Sequence, residues 1–209
     1  MDFARPLRVI TPTLDGDVLT TLAGAESEFT GRQLSRLVAA GSERGVRDAL
    51  DRLVRQGIVN MRPAGASKVY ELNREHLAAA PVVALAEMRA ELLQRLTAAC
   101  RAMEPRPLFA LVFGSVARGA ASEESDLDLL LVSPSMAPSQ MGQWEEAVFR
   151  LQRNASSWTG NDTRVLEYDE STIRAEGEKD PVLDEVARDG VPLVGRLGEF
   201  RRLVTGAIR

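Results

Sequence analysis

Asp126 and Asp128 stand one residue apart in "SDLDLLLV", residues 125–132, which otherwise reads as a buried strand. Side chains alternate across a strand, so the two carboxylates share one face while Leu127 and Leu129 share the other. At a spacing of about 7 Å along the strand, such groups repel one another if buried without a counter-charge. A divalent cation removes that repulsion. A cation held by carboxylates and substrate phosphates is the arrangement that phosphoryl and nucleotidyl transfer requires, and two such ions clamp both the attacking and the leaving oxygens. Just upstream, "PLFALVFGS" reads as a strand from Leu108 to Phe113, broken at Gly114, with a short helix starting near Ser115. Glycine lets a phosphate approach the backbone, and a helix start offers unpaired N–H groups, so the turn is a candidate anion site. The bland alternative is a strand end that faces solvent and holds nothing.

Other chemistries are excluded by composition. Cys100 is the sole cysteine and His76 the sole histidine, so there is no intramolecular disulfide, no Cys/His zinc cluster and no Cys–His catalytic pair. Any metal must be held mainly by carboxylates, which selects Mg²⁺ or Mn²⁺ over zinc. His76, without a partner, reads as structural, and Trp144 and Trp158 read as core anchors. The 209 residues are 44% hydrophobic and 27% charged, ordinary for a folded soluble protein. The apolar runs are too short to cross a bilayer and the N-terminus lacks the apolar core of a secretory signal, so the expected location is cytoplasmic, with no membrane partner.

The elements around the aspartates form the second of two units. Residues 1–80 carry 11 Lys/Arg against 10 Asp/Glu, leaving 15 against 20 for residues 81–209. The acidic half suits a carboxylate metal site better than a surface that coats nucleic acid. In the first half, helices are expected over residues 17–23, from an N-cap at Thr30 with Gln33 at capping-box spacing, and from Ser42 to Gly57. A tight Ala-Gly turn joins the last two. The third has Val46, Ala49, Leu50, Leu53 and Val54 on one face. "IVNMRPAGASKVYEL" follows as a hairpin. Three helices and a hairpin are the plan of a winged helix-turn-helix, in which the third helix enters the major groove. Arg44, Arg47, Arg52 and Arg55 on that helix, with Arg62 and Lys68 on the hairpin, are then the DNA-binding candidates. Glu43, Asp48 and Asp51 interleave with them, and such mixtures are commonly a solvated face. A linker helix spans about residues 82–103 and is stopped by Pro105 and Pro107. The domain reading is therefore 1–80, a linker helix over 81–104, and 105–209.

"GSVARGAASEESDLDL" resembles the signature of the DNA polymerase β-type nucleotidyltransferase superfamily, most closely its minimal and kanamycin nucleotidyltransferase-like branch. The resemblance implies an α+β chain whose C-terminal domain is a mixed β-sheet flanked by helices. It implies that Gly114 and Ser115 hold the β and γ phosphates of a nucleoside triphosphate, that Asp126 and Asp128 bind the metals, and that Arg118 and Ser125 shape the phosphate and metal loop. It also implies a third carboxylate on a following strand. "NDTRVLEYD" is the strand expected after the amphipathic helix that starts near Ser139. Glu167 is the first choice there, with Asp162 and Asp169 as alternatives. The family usually places an aspartate at this point, so the glutamate departs from its pattern.

Two functions follow. The first is Mg²⁺- or Mn²⁺-dependent transfer of a nucleoside monophosphate to an acceptor hydroxyl on protein, RNA or a small molecule, with Asp126, Asp128 and Glu167 catalytic. The second is a transcription regulator that uses the domain as a nucleotide sensor with weak or no catalysis. A winged helix that only docks an acceptor protein is a third use of the first unit. Minimal members of the family are frequently paired with a helical toxin partner, which extends by analogy to a toxin–antitoxin role. A homodimer is compatible with a winged helix reading two half-sites.

Overall fold

The computed structural model describes residues 1–38 and 41–206. The chain divides into two compact units, one of residues 4–89 with Asp2, the other from residue 90 onward with Met1 and Phe3. In the first unit a short 3₁₀ turn precedes α1 (Leu14–Ala23), β1 (Phe29–Thr30), α2 (Gly31–Leu37), α3 (Glu43–Arg55), β2 (Val59–Ala64), β3 (Ser67–Leu72) and α4 (Ala79–Ala86). Helix α2 starts where Thr30 accepts the Gln33 N–H while the Gln33 side chain accepts the Thr30 N–H, a reciprocal capping box. Ser42 caps α3 through the Gly45 N–H. The heptad-like spacing of α3 buries Val46, Ala49, Leu50 and Leu53, leaving Val54 half-buried. The expected Ala40–Gly41 turn lies partly outside the described residues. β2 and β3 pair as an antiparallel hairpin around Gly65, and β1 adds to the other side of β3.

The second unit contains α5 (Met88–Arg101), β4 (Phe109–Phe113), α6 (Gly114–Ala117), β5 (Leu127–Ser133), α7 (Pro138–Thr159), β6 (Thr163–Asp169), α8 (Glu170–Glu176), α9 (Pro181–Asp189), β7 (Val191–Val194) and α10 (Leu197–Val204). The helix expected over residues 82–103 is thus two helices, interrupted at Glu87. The sheet order is β6-β5-β4-β7, with β5–β6 parallel and the other pairs antiparallel. This mixed sheet matches the expected α+β class.

Period-two alternation gives the sheet two apolar faces. Ala110, Val112, Leu127, Leu129 and Leu131 pack with Leu92, Leu96, Trp144 and Leu151 from α5 and α7. Leu111, Phe113, Leu130 and Val132 pack with Ile173, Leu183, Val186 and Phe200 from α8, α9 and α10. Both faces are covered, which is why β5 reads as a nearly continuous apolar run. Cys100 is buried among these side chains, and that burial pushes its thiol up to about 12, leaving it inert.

Candidate active site

The β4–β5 pair brings the glycine turn and the aspartates together. Phe113 lies opposite Asp128 in the antiparallel register, so the turn after Phe113 sits beside the start of β5. Gly114 has φ +69°, and a Cβ there would lie 2.5 Å from Asp128 Oδ2. Only glycine adopts this backbone at little cost and lets the carboxylate rest against the turn. Helix α6, which begins at Gly114, is a single turn and carries little macrodipole. Burial and the neighbouring Asp126 raise the Asp128 carboxyl above its ordinary value, against the opposing pull of Arg164 and Arg118.

The loop before β5 is held from beneath by Asn161, which is 5% exposed. Its Nδ2 donates to the Ser125 carbonyl at 2.7 Å, with longer contacts of 3.4 Å to the Ser122 and Glu123 carbonyls. The Ser122 N–H donates to Ser125 Oγ at 2.9 Å. Ser125 therefore shapes the loop. Arg118 Nη1 meets Glu185 Oε1 of α9 at 2.7 Å, on the Asp128 side of the sheet. Neither Asn161 nor Glu185 stood out in the sequence. An asparagine in a turn and an acid on an amphipathic helix have no pattern that distinguishes them.

The structure places the three candidates for a third carboxylate apart from the aspartate pair. In the parallel β5–β6 register Asp128 is paired with Arg164, and Glu167 with Leu131. Glu167 therefore points to the opposite face from the aspartates, where it accepts a hydrogen bond from Trp144 Nε1 at 2.6 Å. Asp169 caps α8, accepting from the Thr172 N–H at 2.8 Å and from the Ser171 and Thr172 hydroxyls, which hold its carboxyl down at about 2. Asp162 is exposed, and its carbonyl accepts the Leu127 N–H at 2.8 Å. The residue on the aspartates' face is Arg164, whose Nη2 lies 2.7 Å from Asp126 Oδ2.

Among the described residues no three His, Cys, Asp or Glu side chains come together to hold a metal. Two carboxylates beside an open backbone turn fit one divalent cation that also takes phosphate oxygens, the usual coordination of Mg²⁺. They do not supply the carboxylates of a two-ion centre.

In the first unit Arg44, Arg47, Arg55 and Lys68 are exposed. Arg47 and Lys68, with Arg32, line a groove of about 510 Å³ between α2, α3 and β3 that also contains Glu43 and Tyr70. Arg52 is paired bidentately with Asp15 at 3.1 and 2.7 Å, and Arg62 with Glu28. These two arginines are committed within their own unit. His76 Nδ1 accepts the Ala78 N–H at 3.1 Å, a structural role. No described helix is long and apolar enough to cross a membrane.

No curated protein matches the chain. Two solved structures are similar over 56% of this chain and 83% of theirs: a toxin–antitoxin with AMP-PNP (15% identity, TM-score 0.39) and a mutant of the toxin–antitoxin MntA-HpeT (13%, 0.38). A family model, the nucleotidyltransferase domain, matches residues 93–184, from α5 through β4, the Gly114 turn, both aspartates and β6 into α9. The stretch that builds the aspartate site is thus similar to a nucleotidyltransferase domain.

Proposed function

We propose that the second unit binds a nucleoside triphosphate as its Mg²⁺ or Mn²⁺ complex and transfers the nucleoside monophosphate to an acceptor hydroxyl. The observation that carries this is the contact between the Asp128 carboxylate and the left-handed Gly114 turn, with Asp126 on the same face. Backbone N–H groups after Gly114 and the Ser115 hydroxyl receive the β and γ phosphates. Arg118, braced by Glu185, and Ser125, braced by Asn161, border them. A divalent cation would be held by Asp126 and Asp128 with the phosphate oxygens, and would offset negative charge developing during transfer. The acceptor oxygen forms a bond to the α-phosphorus and gives up its proton to solvent water, the bond to the bridging oxygen breaks, and pyrophosphate leaves with that electron pair. The first unit, in this reading, is a winged helix-turn-helix that meets DNA through Arg44, Arg47, Arg55 and Lys68, its fold inferred from three helices followed by an antiparallel hairpin.

One observation favours a second reading. Glu167, the candidate third carboxylate, is hydrogen-bonded on the other face and does not join Asp126 and Asp128. The domain then acts as a nucleotide sensor with slow or no chemistry, shifting populations that differ in DNA affinity. Incubating the protein with α-labelled nucleoside triphosphates, Mg²⁺ or Mn²⁺ and separate protein, RNA and small-molecule pools separates the two. Label transferred by wild type and lost in Asp128→Asn supports transfer and names the acceptor class. Metal-dependent nucleotide binding with no transfer supports the sensor, and absence of nucleotide binding sinks both.

A further inference from the structure

We propose that Arg164 is the resident counter-cation of the aspartate pair. The β5–β6 register fixes its Cα opposite Asp128, so its side chain leaves the sheet on the aspartates' face. Its Nη2 is 2.7 Å from Asp126 Oδ2. Glu167, which could have supplied the missing carboxylate, is turned away by one residue of strand alternation and tied to Trp144. A guanidinium suits the post because its planar fork meets carboxylate and phosphate oxygens alike and never loses its charge. The Arg164 side chain is 71% exposed, so the pair is screened by solvent and adds little to folding. Its placement is therefore better explained by the charge of the site than by stability. Positive charge already present lowers the affinity for a free divalent cation and limits the nucleotide-loaded site to one.

Mn²⁺ binding, followed by the electron paramagnetic resonance signal of the free ion, tests this on the full chain. The metal-only arm does not depend on the nucleotide-binding reading. With Mn²⁺ alone, wild type and Arg164→Lys should bind weakly and equally. Arg164→Gln should bind roughly three- to tenfold tighter once the nearby positive charge is removed. Arg164→Asp should bind more than tenfold tighter. Equal affinity in all four proteins, with thermal melts showing them folded, overturns the proposal. With a non-hydrolysable ATP analogue, wild type should take up one Mn²⁺ per bound nucleotide and Arg164→Asp two; two in wild type also overturns it. A chain that binds Mn²⁺ in the expected order but no nucleotide supports Arg164 as counter-cation and removes the proposed nucleotide function instead.

Discussion

The two faces of β5 and β6 put acidic groups to opposite uses. On one face Asp126 and Asp128 sit beside a bare backbone turn and an exposed arginine, and Asp128 is held above its ordinary pKa by burial and by its neighbour. On the other, Glu167 has one defined partner, the indole N–H of Trp144, which is 4% exposed. Glu167 is itself exposed and is tied to the fold through that one indole donor. Asp128 instead rests against the Gly114 turn, half-buried and beside a second carboxylate.

The sharpest way to break this contrast is to neutralise one acid on each face. Asp128→Asn should lower metal-dependent nucleotide affinity, and any transfer rate, by about a hundredfold or more, while Glu167→Gln leaves both within about twofold. Calorimetric titration and the label assay check both, and a large loss in Glu167→Gln would erase the distinction. Gly114→Ala comes next. The left-handed backbone should cost about 1–2 kcal/mol of stability, and the new Cβ should push Asp128 aside, with about tenfold weaker nucleotide binding. Trp144→Phe should act on the other face alone, costing about 0.5–1.5 kcal/mol because the exposed Glu167 is rehydrated when its donor is lost, at unchanged nucleotide affinity. Urea melts read the stability changes.

The smallest effect is one of sign. The folded-state pKa of Asp128 is raised, so the native protein holds that proton more tightly than the unfolded chain does. Stability therefore falls as pH rises from the unfolded value of 3.8 through the raised folded one. Asp128→Asn escapes that loss. Its Tm should exceed that of wild type at pH 7, and the gap should close as the pH drops below the ordinary carboxylate range. A variant less stable than wild type at pH 7 would show that Asp128 is an ordinary structural acid.

Local chemistry was legible in the sequence wherever neighbours along the chain decide it. The Thr30–Gln33 capping box, the Ser42 cap, the burial of Val46, Ala49, Leu50 and Leu53, and the strand–glycine–strand frame around Asp126 and Asp128 all rest on short-range rules. The face of β6 does not. "NDTRVLEYD" puts Arg164, Leu166 and Tyr168 on one side and Val165 and Glu167 on the other, and only its pairing with β5 says which side meets Asp128. That register is set between segments about thirty-six residues apart in sequence, beyond the reach of alternation alone. The break at Glu87 was equally silent, because Leu85, Met88 and Leu92 keep a helical rhythm across it.

The Asn161 clamp has a consequence for the order in which the molecule would come apart. The loop bearing Ser125 is not left to be ordered by an arriving ligand. One buried amide gathers its carbonyls while the chain folds, so the loss of conformational freedom is incurred before any encounter. Affinity then depends on how tightly β6 is seated. On gentle warming, the capacity to bind should fade while the helical signal is still whole, since the peg that shapes the loop stands at the start of an edge strand.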